Sequence, residues 1–143
     1  MKGVIFGIPV VAVLSLGCGG TQSPTAPSVV AGPTTELFVG TLDVRGSGFY
    51  SFTVSQTGNV NLLLASLTAN GRNGLGPALT TTLGIGLGVP SGTGCALDRS
   101  VETPPALVSQ ITLSMAAGIH CAEIHDIGKL TSSVNFTLRI IHP

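Results

Sequence analysis

Residues 118–126, "GIHCAEIHD", place His120, Cys121, Glu123, His125 and Asp126 within nine positions of a 143-residue chain in which only 8% of side chains are charged. Imidazole, thiolate and carboxylate are the donors that zinc takes from proteins. Spacing limits which of them can act together. In a strand, His120, Ala122 and Ile124 face one way, and Cys121, Glu123 and His125 the other. The two histidines therefore point apart and cannot chelate one metal from a single regular strand. Cys121, Glu123 and His125 share a face and form a possible zinc set, provided that the thiol is free.

The composition narrows what else the chain can do. Six acidic and six basic side chains give a formal net charge of zero. Arg45, Arg72, Arg99, Lys129 and Arg139 stand singly, so the clustered cation patch that a nucleic-acid backbone requires is missing. The glycines of "GIGLGVPSG" (Gly84, Gly86, Gly88) lead into Pro90 and Gly92 and not into a helix N-terminus, which excludes a phosphate-binding loop and leaves a Gly-rich strand. No Gly-x-Ser-x-Gly elbow is present. Asp98 and Glu102 read as charges in a solvated loop and not as a paired acid and base.

From Glu36 onward the pattern is short runs of Val, Leu, Phe, Thr and Ile separated by Gly, Asn and Pro. That is an all-β signature. Strands are predicted at 36–44, at 49–56, where Tyr50, Phe52 and Val54 share the buried face, and at 60–68, 79–89, 106–115 and 134–142. "IHCAEIHD" adds one more. "ANGRNGLGP" is a loop, and "PSGTG" is a turn. In the last strand Val134, Phe136, Leu138 and Ile140 alternate with Asn135, Thr137 and Arg139. Seven or eight antiparallel strands over residues 36–143 suit a two-layer β-sandwich with enough core to fold as one domain.

The N-terminus is of a different kind. Lys2 precedes an uncharged, largely apolar run over 3–16, too short for the roughly 20 residues of a membrane-spanning helix. It ends at "LSLGCGG" and reads as a signal peptide over 1–17. Gly17-Cys18 resembles the lipobox of bacterial lipoproteins, although Ser15 stands where that motif usually has Leu. The resemblance implies lipidation of Cys18, cleavage before it and a lipid-anchored cell-envelope protein. Gly19 in place of Asp points to the outer membrane. Residues 18–35, rich in Gly, Ser, Thr and Pro, form a flexible tether. With Cys18 carrying lipid and the chain exported to an oxidising compartment, Cys95 and Cys121 are expected to form a disulfide. That bond would remove the thiolate from the zinc set.

"GFYSFTVSQTG", the later "AAGIHCAEIHD" and the closing "VNFTLRII" together resemble the bacterial pre-peptidase C-terminal domain, a secreted jelly-roll-like β-sandwich, across about 36–142. His120 stands where that family usually has an aromatic residue. The strand at 79–89 lacks the acidic pair that many members carry, and calcium binding is known among relatives. The resemblance implies a non-catalytic accessory or binding module without a cofactor, directed at a protein or an extracellular polymer such as a polysaccharide. The competing expectation is a small secreted hydrolase or metal-dependent enzyme centred on Glu123 and His125, with Asp126 as a possible third member.

Overall fold

Along residues 134–142 every second side chain is buried, beginning with Val134 and ending with His142, as expected for a strand with one face on the core. The computed structural model describes residues 32–71 and 76–143. The signal peptide, Cys18 and all but the last residues of the tether lie outside the described residues, as do 72–75 of the expected loop.

Eight strands follow in chain order. They are β1 (Thr34–Leu42), β2 (Ser47–Val54), β3 (Gly58–Ala69), β4 (Leu83–Ser91), β5 (Gly94–Thr103), β6 (Ile111–Met115), β7 (Gly118–His125) and β8 (Val134–His142). They form two antiparallel four-stranded sheets, ordered β1-β8-β3-β6 and β2-β7-β4-β5. This is the strand order of a jelly roll packed as a β-sandwich. The core between the sheets is built from Val60, Leu62, Leu64 and Leu67 of β3, Leu83, Ile85 and Leu87 of β4, Ala122 and Ile124 of β7, and the inward residues of β8. Phe52 and Val54 join it from β2, in the expected phase.

Several boundaries differ from expectation, each for a physical reason. β1 starts at Thr34, because Thr34 and Thr35, read above as tether, pair with His142 and Ile141 of β8. The segment carrying Asp98 and Glu102 is not a loop but β5, an edge strand whose charged side chains point into solvent. The strand expected at 79–89 occupies Leu83–Ser91, and Pro90 and Ser91 continue the pairing up to the turn at Gly92. The strand expected at 106–115 shortens to β6. Over 106–110 the Gln110 side chain takes the Leu64 N–H that a continued ladder would use, while Ala106 and Gln110 donate backbone N–H groups to the Leu64 and Leu62 carbonyls.

Candidate functional site

Pairing of β7 between β2 and β4 fixes where each group of the 118–126 stretch goes. His120, Ala122 and Ile124 face the core, while Cys121, Glu123 and His125 lie on the outer face of the sheet. Cys121 is bonded to Cys95, with their Cα atoms 5.9 Å apart. Because β4 lies between β7 and β5, the bridge ties two strands that are not neighbours in the sheet. The thiolate is therefore absent from the zinc set. His120 is 8% exposed, and its Nε2 lies 2.8 Å from the Ala116 carbonyl, fixing the tautomer that carries a hydrogen there. Its Nδ1 is buried without a partner among the described residues, and Phe52 lies beside the ring.

On the outer face, His125 Nδ1 is 3.2 Å from Glu123 Oε1. Neither side chain is the freely solvated group that an exposed strand face would give, since 32% and 22% of their side-chain surfaces are accessible. The reason is Gly84, paired with His125 in the neighbouring strand: a Cβ at Gly84 would collide with the imidazole ring. The leucine methyls of Leu97 cover Gly86 in the same way, and the Ala96 carbonyl lies over Gly88. The Gly-x-Gly-x-Gly of β4 thus clears room for groups from β5 and β7 to lie across it. Ser47, the hydroxyl paired in register with His125, belongs to β2 on the opposite side of β7. The ring lies over Gly84 on the other side, and among the described residues no hydroxyl hydrogen-bonds to this imidazole. Among the described residues no three His, Cys, Asp or Glu side chains come together as a metal-binding group.

Asp126 is a loop organiser. Its Oδ2 accepts the Arg45 N–H at 2.8 Å, and its Oδ1 accepts those of Gly128, Lys129 and Leu130 at 2.9, 2.8 and 3.1 Å. Burial pushes its carboxyl up, but the four backbone donors together outweigh this and hold its pKa below the ordinary carboxylate value. They also steady Arg45, which has a φ of 59° in the β1–β2 turn.

One polar pair escaped the sequence reading. His142 is 4% exposed at its side chain, and its Nε2 lies 2.9 Å from Glu36 Oε1. Both stand on the inward phase of their strands, Glu36 in step with Phe38 and His142 in step with Ile140. That phase was the available signal.

The opposite outer face, on the β1-β8-β3-β6 sheet, carries almost no charge. Two open depressions lie on it. One of about 450 Å³ is lined mainly by Val39, Thr41, Thr68, Asn135 and Thr137, and one of about 210 Å³ by Asn59, Asn61 and Ile141 with neighbouring chain-end residues. Thr41 Oγ1 donates to Asn135 Oδ1, and Thr112 Oγ1 donates to Asn61 Oδ1. Each asparagine carbonyl is thereby engaged and its NH2 group left to donate elsewhere. Between the depressions lies Arg139, paired in register with Leu37 and Leu63, whose guanidinium makes no ion pair among the described residues.

No protein-family model matches the chain, and no curated protein matches it.

Proposed function

We propose that this chain is a lipid-anchored, non-catalytic binding or accessory domain of the bacterial cell envelope, and that the outer face of the β1-β8-β3-β6 sheet is its binding surface for a protein or an extracellular polymer. The supporting observation is a contrast between faces. On the β2-β7-β4-β5 sheet Cys121 is held in a disulfide, His125 lies over Gly84 and His120 is buried in the sandwich. On the opposite sheet, amide and hydroxyl donors surround two open depressions with one guanidinium between them. Such a face suits an extended, uncharged ligand rich in hydroxyl or carbonyl groups.

Anchorage at the outer membrane rests on the apolar run at 3–16, on "LSLGCGG" and on Gly19 after Cys18. The resemblance to pre-peptidase C-terminal modules belongs to the same proposal, and the jelly-roll strand order is compatible with it. The enzymatic alternative draws its support from the Glu123–His125 contact alone.

The experiment is co-sedimentation of the purified protein with insoluble cell-wall polysaccharide and with isolated envelope proteins, run beside a hydrolysis screen and metal analysis of the same sample. Saturable binding without turnover is the expected result. Turnover or stoichiometric metal that disappears with Glu123→Gln would establish the alternative.

A further inference from the structure

Edge strands expose unpaired N–H and C=O groups that can template another chain, and proteins block them with charge, proline or short length. The four edges of this sandwich are treated unequally. β6 is only five residues long, and β5 carries Asp98, Arg99 and Glu102. On the other side, β1 runs for nine residues and β2 for eight, with no lysine, arginine or proline in either. Their one charged side chain, Glu36, is turned inward to His142.

The tight turn between β1 and β2 puts these two edges, both unpaired among the described residues, on the same side of the molecule, one from each sheet. Between them Phe38 and Tyr50 stack with ring centroids 4.8 Å apart, both only partly buried. Beside the stack, Leu37 and Val39 are 61% and 68% exposed.

We propose that this side of the sandwich docks a second copy of the chain, β1 against β1 and β2 against β2, both antiparallel, about one two-fold axis perpendicular to the sheets. The register follows from where the stack sits. Phe38 is the central residue of β1, and Tyr50 lies at the middle of β2. Because the two rings are in contact, an axis through one passes close to the other, and each residue meets its own counterpart. Leu37 then faces Val39 of the second copy, Thr35 faces Thr41, and Glu36 faces Gly40, which has no side chain to obstruct it. On the other layer Phe49 faces Ser51, and Ser47 faces Thr53. Leu37 meets Val39, hydroxyls meet hydroxyls in two of the pairs, Phe49 covers the small Ser51, and no like charges are opposed.

Self-pairing also explains why both edges are open. A single extended peptide can extend only one sheet, whereas a symmetric copy completes both with one operator. The zero net charge adds no long-range repulsion between copies. Sheet extension of this kind leaves the outer faces uncovered except at Val39, which also borders the larger depression, so Ser51→Lys, on the other sheet, separates failure of the dimer from failure of the binding surface proposed above.

The test is sedimentation equilibrium of the full chain, extracted in a density-matched neutral detergent. Wild type and Val108→Lys, a change at another exposed apolar position, should be dimeric. Val39→Lys and Ser51→Lys each place a cation at one of the two edges and should each weaken association at least about tenfold, with thermal melting confirming that both remain folded. A wild type that is monomeric at every concentration would overturn the proposal. So would a dimer that survives either edge substitution, or one lost equally in Val108→Lys.

Discussion

A carboxylate that accepts four backbone N–H groups is held ionised and occupied, which removes Asp126 from the pool of acids and bases and makes it a structural residue. Its lowered pKa sets the sign of a pH effect. The stabilisation is complete above the unfolded-state value near 3.8 and is lost as pH falls through the lower folded-state value. Asp126→Asn should therefore cost about 1 kcal/mol at neutral pH, as loss of a backbone cap does. In urea unfolding the gap between variant and wild type should narrow as the pH is brought below about 4. A gap that widens on acidification would contradict the assignment. Gly84 is the second informative residue, because its missing side chain is what lets His125 lie flat beside Glu123. Gly84→Val should lift the ring off the sheet, raise the reactivity of His125 toward an imidazole acylating reagent and cost about 1–3 kcal/mol through overpacking. Unchanged reactivity in a folded variant would show that the ring does not depend on this position.

Among the elements, the Cys95–Cys121 bond matters most, since it fastens β5 to β7 across β4 and closes a 26-residue separation. The chain-entropy model gives about 3–4 kcal/mol for a loop of that size. Cys95→Ala/Cys121→Ala should accordingly lower Tm by roughly 10–20 °C, measured by circular dichroism on oxidatively exported protein. A shift of only a degree or two would mean that the β4–β5 hairpin is held by its ladder alone. The two cysteines were legible in the sequence because few partners existed for them, and the parity of β7 and β8 was legible because alternation marks a half-buried strand. β5 was not, since an edge strand exposed on one flank tolerates charge and shows no apolar period. Leu97 serves the outer face, covering Gly86, while Val101 packs on the core, and a register shift between them breaks the alternation. The Glu36–His142 pair was hidden for another reason: its partners are 106 residues apart and meet only once β1 and β8 are in register. The Asn and Thr positions of the proposed binding face are ordinary outward strand residues, and only the pairing of β1, β8 and β3 gathers them on one surface.

At the scale of the whole molecule, the proposed lipid anchor makes a separate prediction. Protein extracted from bacterial membranes should begin at an acylated Cys18, and Cys18→Ala should leave it unprocessed or release it from the membrane. Intact-mass measurement distinguishes these outcomes, and an unmodified N-terminus cut elsewhere would end the lipoprotein reading. On the proposed reading, the Asn/Thr face, and not the His/Cys/Glu stretch, meets the ligand. The most direct test is one binding titration against the envelope fraction that retains the wild type, with Thr137→Lys and Glu123→Gln/His125→Gln run side by side. Thr137→Lys should weaken binding by at least about tenfold, or about 1.4 kcal/mol, while the double variant binds like wild type. Loss of binding in the double variant with full retention in Thr137→Lys would contradict the claim and move the functional surface to the opposite sheet.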